Sequence, residues 1–287
     1  METITVDQTL ARAGFYWRTR DGVRALVSAP LEQTGFVNAF STRGGGVSPF
    51  PADALNLASF SEDTAANIHE NRRRFLQLLP GAWTLAAAWQ VHSADVCVVR
   101  DTADARRSEQ QHCDALTTNA PAILVGVKTA DCIPILLGDV HNCACAAVHA
   151  GWRGTAQVIV GHALERMRAE YGTRPEDVHV AIGPAALQCC YEVGREVIET
   201  FRANFPYADE LLIPTRPDHA RIDLHTANRQ QLINAGVPAA QIHTAPLCTI
   251  CRPDLFFSYR REKKLYGRTG RLLAVIGRGQ RLEVRDQ

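Results

Sequence analysis

Thr129-Ala-Asp-Cys132-Ile-Pro-Ile-Leu-Leu and, shortly after it, Ala146-Ala-Val-His149-Ala-Gly-Trp-Arg-Gly-Thr155 decide how this chain folds. Each joins a continuous apolar run to a reactive polar side chain. Short apolar runs without strict alternation suit strands covered on both faces. A hairpin through residues 138–142 then brings Cys132 and His149 close together near the open ends of the pair. Similar β-branched or apolar runs at 23–27, 36–41, 122–127, 143–149 and 178–182 read as further buried strands.

Between these runs lie helix signals at 63–79, 155–171, 195–203 and 224–234, the last followed by Gly236 and Pro238 as stop residues. Alternating strands and helices indicate an α/β or α+β protein. The polar segments 100–112 and 206–221 read as surface excursions, too poor in Gly and Ser to be linkers. With 287 residues and 46% hydrophobic content, one large domain spanning 1–287 is expected.

Lys and Arg total 31 against 30 Asp and Glu, so net charge gives no reason to expect nucleic acid or an anionic membrane as partner. A small-molecule substrate fits better. The first residues carry no signal-peptide pattern and no apolar run is long enough to span a bilayer, so a cytoplasmic protein is expected. Nine cysteines, an odd number scattered over a long chain, argue for free thiols or metal ligands rather than a disulfide framework.

Cysteine beside histidine supports either an imidazole-activated thiolate nucleophile or a soft metal site. His92, in Trp89-Gln-Val-His92-Ser-Ala-Asp95, ends another apolar run and completes a His₂Cys set. Three protein donors with an open fourth position are what a catalytic zinc requires. Taken singly, each residue reads as well as a packed cysteine or a satisfied core histidine. Their shared position at the edges of apolar runs, next to Gly, Ser, Asp or Arg, is what singles them out.

Gly151-Trp-Arg153-Gly154-Thr155 leads into a helix and offers Arg153 and free N–H groups to an anion, or simply makes a tight turn capped by Thr155. Ser41-Thr-Arg43-Gly-Gly-Gly46 presents Arg43 in a similar way, though it matches no nucleotide-binding fingerprint. Cys248-Thr-Ile-Cys251 has the spacing of zinc ribbons and redox motifs. A ribbon needs a second pair of similar spacing, which the chain lacks, so this CxxC reads as structural, while Cys143, Cys145, Cys189 and Cys190 stay unassigned. His112-Cys113-Asp114 reads as a loop because its neighbours are polar, and it stays a reserve candidate.

Gln90-Val-His92, Asp114-Ala-Leu, Thr129-Ala-Asp-Cys132, His149-Ala-Gly-Trp-Arg-Gly154, Cys190-Tyr-Glu-Val-Gly194 and Phe256-Phe-Ser-Tyr-Arg-Arg261 follow one another in an order that resembles the YfiH, or laccase-like polyphenol oxidoreductase, family. Ser41-Thr-Arg43 and Thr269-Gly-Arg271 extend the likeness toward both ends. The resemblance implies an α+β protein, a layered α/β/β/α sandwich with mixed sheets. It also implies zinc held by His92, Cys132 and His149, with copper as the other candidate metal. The activities it implies are phosphorolysis of adenosine, inosine and methylthioadenosine, and deamination of adenosine.

Under that reading the partners are a purine nucleoside and phosphate, and the chain is a monomer or homodimer. Arg43 and Arg153 would stabilise phosphate, and Asp131 is the positional candidate for a proton-shuttling carboxylate. Residues 184–188 and 261–270 depart from the family pattern. The resemblance also implies two other functions, a peptidoglycan-precursor editing hydrolase and, from the family's older name, a copper polyphenol oxidase; a non-enzymatic purine sensor is the remaining alternative. The oxidase is disfavoured by the lack of H-x-H pairs and by Met167 lying in a helix, away from any axial-ligand role.

Overall fold

The computed structural model describes residues 5–50, 52–59 and 63–279. Its strands are β1 (Phe15–Arg20), β2 (Val23–Ser28), β3 (Phe36–Ser41), β4 (Gly44–Ser48), β5 (Thr84–Ala87), β6 (Val96–Val98), β7 (Ala115–Thr118) and β8 (Ile123–Thr129). They continue with β9 (Ile133–Asp139), β10 (Ala144–Ala150), β11 (Val178–Ile182), β12 (Glu192–Gly194), β13 (Leu212–Arg216), β14 (His219–Ile222), β15 (Ile242–Thr244) and β16 (Leu272–Arg278). The helices are α1 (Val6–Arg12), α2 (Ala29–Gln33), α3 (Ala65–Gln77), α4 (Thr102–Arg107), α5 (Trp152–Ala156), α6 (Ile159–Tyr171), α7 (Arg195–Asn204), α8 (Leu224–Asn234) and α9 (Tyr259–Tyr266).

Two six-stranded mixed sheets dominate, ordered β1-β2-β3-β16-β8-β5 and β15-β11-β9-β10-β7-β6. Phe36, Phe40, Val125, Leu136, Ala147 and Ile276 fill the space between them. The outer face of the first sheet takes Phe75 from α3 against Ala25, Leu124 and Val275. On the outer face of the second, Val160, Leu164 and Met167 of α6 and Leu232 of α8 pack on Ile135, Ala146 and Val180. The layers are therefore α/β/β/α. Burying a side chain such as Phe75 contributes about 2–3 kcal/mol.

The sheets approach closely because glycine stands at two contacts. A Cβ on Gly183 would lie 2.3 Å from the Phe40 ring, and one on Gly138 would lie 2.7 Å from the ring of Phe36. Helix ends follow local chemistry: Thr64 and Asp223 cap α3 and α8 by accepting from Asn67 and Thr226 N–H, and Gly236 at φ +97° closes the turn after α8. No helix among the described residues is long and apolar enough to cross a membrane.

One helix differs from expectation. The helix expected over 155–171 is two helices, broken at Val158 with φ +58°. Its carbonyl and hydroxyl at Thr155 are taken by Gln231 and Asn228 of α8, which diverts the backbone; Thr155 is buried rather than a cap, and Gly151 occupies the N-cap position. The two excursions are also structured. Residues 100–112 hold α4, capped by Asp101, and 206–221 hold the β13–β14 hairpin, which joins β12 in a three-stranded sheet. Their polarity reflects exposed faces, as on β13, where four of five residues are exposed.

Candidate metal centre

The centre forms where the chain passes between the two large sheets. Residues 88–95 cross from β5 in the first sheet to β6 in the second, and residues 130–132 cross from β8 to β9. His92 sits on one crossing and Cys132 on the other. The third residue, His149, lies near the end of β10, opposite Pro134 of β9. Side chains alternate along a strand, so Cys132, two residues before Pro134, continues the face that Pro134 and His149 share.

The three potential donor atoms lie within 4.8 Å of one another. Cys132 Sγ is 3.9 Å from His92 Nε2, and the His92 and His149 rings are 5.0 Å apart at 73°. Zinc bonds of about 2.3 Å to sulfur and about 2.0 Å to nitrogen would put tetrahedral donors roughly 3.5 Å apart, so the set fits a metal after a small contraction. Gly151 backs it closely: a Cβ there would stand 3.0 Å from the His92 ring and 3.2 Å from Cys132 Sγ.

Asp114, fully buried at the start of β7, builds this geometry. Its carboxylate accepts the N–H groups of Val91, His92 and Ser93 at 3.0, 3.0 and 2.8 Å, and the Ser93 hydroxyl at 3.2 Å. This wrap supports His92 at φ +60°, a conformation most side chains avoid. The same carboxylate accepts from His149 Nδ1 at 2.8 Å, which fixes the tautomer and leaves Nε2 to the centre. Although burial opposes the charge, the His149 hydrogen bond and charge and the N–H groups of Ser93 and Val91 hold the Asp114 carboxyl below its usual range. The loop expected at 112–114 is observed, with His112 exposed and Cys113 and Asp114 buried, and the reserve candidate Asp114 joins the centre through His149, a role that the sequence did not assign to it.

Charge balance within the trio is strong. Burial would raise the Cys132 thiol, yet the charges and hydrogen bonds of His149 and His92 bring it down to about 6. Burial would lower His149, but the Cys132 charge and the Asp114 hydrogen bond push it up to about 9. The pair is thus poised as a thiolate and an imidazolium, and a metal held there would take Cys132 Sγ and, once its proton is lost, His149 Nε2 as donors.

The other residues picked from the sequence take different places. Asp131, at φ +89°, accepts Thr249 Oγ1 at 2.7 Å, Ser258 Oγ at 3.0 Å and Arg260 N at 2.7 Å, while its carbonyl accepts Ala186 N. It ties residues 186, 249 and 258–260 to the turn that carries Cys132. Burial pushes its carboxyl up despite these donors. Arg43 pairs with buried Glu262 at 2.8 Å and donates to the carbonyls of Pro253 and Phe256. Arg153 is half-exposed, stacked on Trp152 and 3.4 Å from Glu196.

Tyr191 links the centre to a cavity of about 300 Å³ lined by Trp152, Tyr191, Val197, His219 and Arg260. Burial, and then the charge of Cys132, push its hydroxyl up to about 12, with Arg260 and Arg153 opposing. Arg260 lies over the Tyr191 ring at 5.1 Å and donates to the Glu192 carbonyl at 2.7 Å.

The CxxC also has a partner pair that the sequence reading denied it. Cys189 and Cys190 meet Cys248 and Cys251, with all four sulfurs within 4.8 Å of one another. Spacing rules miss this because the second pair is a vicinal dipeptide on another loop.

Comparison with known proteins gives this architecture a place. Residues 37–279 match the family described as multi-copper polyphenol oxidoreductase laccase. A purine nucleoside phosphorylase, YlmD, of Geobacillus stearothermophilus is 36% identical over 256 residues, 85% of this chain and 90% of that protein. The adenosine deaminase RL5 of an unknown prokaryotic organism is 37% identical over 241 residues, 81% of this chain and 92% of that protein. The crystal structure of Geobacillus stearothermophilus YlmD superposes with a TM-score of 0.83 at 34% identity, covering 93% of this chain and 99% of the other. That of Bacillus licheniformis YfiH gives 0.82 at 30% identity, covering 92% and 98%. With its sandwich, its ordered motifs and these relatives, the chain belongs to the YfiH family, whose model is described as multi-copper polyphenol oxidoreductase laccase, and is similar to a purine nucleoside phosphorylase and an adenosine deaminase.

Proposed function

We propose that this chain is a zinc-dependent, cytoplasmic purine nucleoside phosphorylase that acts on adenosine, inosine and methylthioadenosine and also deaminates adenosine. The observation that carries the reading is the His92, Cys132 and His149 cluster, with Asp114 on His149 Nδ1, in a chain similar to enzymes named for those two reactions. Bound through Cys132 Sγ and the two histidines, zinc would supply Lewis acidity and a fixed orienting charge at the mouth of the sandwich.

In phosphorolysis a phosphate oxygen bonds to the anomeric carbon as the bond to the purine nitrogen breaks. Cations must offset the phosphate charge while the two reactants are held in line. Arg153 suits this role because, among the described residues, the one ion pair it makes is the long one to Glu196 at a half-exposed site. Arg260, above Tyr191, supports it from the cavity side. Arg43, committed to Glu262, shapes the loop at 253–256. Asp131 has both oxygens occupied, so we assign it the positioning of Cys132 and of the α9 N-terminus. In deamination a water oxygen would bond to purine C6 as the bond to the exocyclic nitrogen breaks and ammonia leaves, with His92, Cys132 and His149 holding the ion that would supply Lewis acidity.

The test is chromatographic product analysis with adenosine and inosine, each with and without phosphate, on protein of measured metal content. Phosphate-dependent release of free base is expected, together with inosine from adenosine. Absence of turnover in every arm, with zinc present at His92, Cys132 and His149, would overturn the proposal and direct the search to cell-wall precursor hydrolysis.

A further inference from the structure

The four-cysteine cluster owes its existence to the parallel pairing of β11 and β15, which leave the second sheet side by side at the same end. The pairing persists beyond the strands: Ala185 bridges Cys248, Ala185 N donates to the Leu247 carbonyl, and Thr249 N donates to the Ala185 carbonyl at 2.9 Å. The two loops therefore travel together and turn over one another. One delivers Cys189 and Cys190, the other Cys248 and Cys251.

The sulfurs stand at metal-site distances. Cys189 Sγ is 3.7 Å from Cys190 Sγ and 3.7 Å from Cys251 Sγ, and Cys190 Sγ is 3.2 Å from Cys251 Sγ. Bonds of about 2.3 Å from a tetrahedral zinc would put its sulfurs roughly 3.8 Å apart. Cys248 is buried and Cys251 exposed, so the cluster has a closed floor and an open entry path.

We propose that Cys189, Cys190, Cys248 and Cys251 form a second, structural zinc site, distinct from the His92, Cys132 and His149 centre. A disulfide accounts for the cluster less well, because Cys251 lies against both Cys189 and Cys190 and any single bond leaves two thiols unused. Binding one divalent ion by four thiols releases four protons to solvent and leaves a closed site with no open position for a substrate. Its function is mechanical. Thr249, between Cys248 and Cys251, donates to Asp131, whose neighbour is Cys132, while Tyr191 and Glu192 of the cavity wall directly follow Cys190. The ion therefore clamps the two loops that wall the active centre.

The experiment is elemental analysis of the full chain purified under reducing conditions without chelator, followed by cobalt substitution. Wild type should carry about two zinc per chain, and Cys132→Ala and Cys190→Ser/Cys251→Ser about one each. The cobalt form of Cys132→Ala should keep the intense thiolate-to-cobalt absorption of a four-thiolate tetrahedron; the double serine variant should lose most of it. A soluble double variant with unchanged zinc content would overturn the proposal. So would wild type that holds one zinc, lost with Cys132, or a Cys190–Cys251 disulfide found by peptide mass spectrometry in protein isolated under thiol-blocking conditions. Should the double variant fail to fold, Cys189→Ser alone, at the exposed ligand, must still weaken zinc retention against a chelator relative to wild type.

Discussion

The two cysteine-bearing clusters stand at the same end of the second sheet and are built in opposite ways. The His92, Cys132 and His149 centre is fixed by backbone crossings between sheets and by one buried carboxylate that gathers five donors from four residues. The four-cysteine cluster is fixed by two loops that hold each other. The first has mixed donors, an open position and a support that survives removal of the ion. The second has one donor type and no buried carboxylate behind it. Catalytic and structural metal sites differ in these respects, and here one fold carries both patterns.

The largest effect that would break this contrast is at Cys132. Cys132→Ala should abolish turnover, a loss of at least about a thousandfold, while thermal unfolding stays close to wild type, because the centre is supported by Asp114 and the strands rather than by the ion. Steady-state rates and a melting curve check both halves. A variant that unfolds instead would mean that the His92, Cys132 and His149 centre depends on a bound ion for its shape.

Much of this arrangement can be read from the chain, for definite reasons. The strands at 36–41 and 178–182 and the helix at 224–234 coincide with the observed β3, β11 and α8, since buried runs and clear stop signals leave little choice. Cys132 and His149 announce themselves as polar ends of apolar runs, where a strand hands its last side chain to a cleft. Asp114 does not. It follows Gln111, His112 and Cys113 in a stretch that looks solvated, and its burial appears only when three N–H groups from residues 91–93 close over it. Cys189 and Cys190 are hidden for a related reason: their partners come from a parallel neighbour strand, a long-range pairing that no local spacing encodes.

Asp114 gives the middle-sized test. Asp114→Asn keeps the shape but removes the charge, and an amide offers only one oxygen where the carboxylate uses two, leaving at least one buried donor without its partner at about 1–3 kcal/mol. The His149 tautomer loses its anchor as well. Metal affinity and kcat/KM should each fall by about 10–100-fold, with a smaller change in unfolding free energy. The charge of this residue and its influence on His149 would be irrelevant if zinc affinity stayed at the wild-type value.

The smallest expected effect separates the two thiol environments directly. In metal-free, reduced protein, the charges of His149 and His92 bring Cys132 down to about 6, whereas partial burial and the hydrogen bond to Cys251 push Cys189 up to about 11. Deprotonation rises with pH, so at neutral pH Cys132 is mostly thiolate and Cys189 almost wholly thiol. Reactivity does not follow the full ratio, because a less basic thiolate is also a weaker nucleophile and offsets part of the gain. Exposure works the other way too, since Cys189 is open to solvent and Cys132 only partly so. Iodoacetamide labelling mapped by peptide mass spectrometry should still modify Cys132 about tenfold faster near pH 7, and the preference should shrink as pH rises past 9 and Cys189 begins to ionise. Labelling of Cys132 should itself fall away below pH 6, as the thiolate takes up its proton. In His149→Gln the midpoint for Cys132 should climb toward the ordinary thiol value of about 8.5, so its labelling near pH 7 should slow and its lead over Cys189 should narrow. If exposure alone governed the rates, Cys189 would lead at every pH in both proteins, and the electrostatic difference between the two sites would have no chemical consequence.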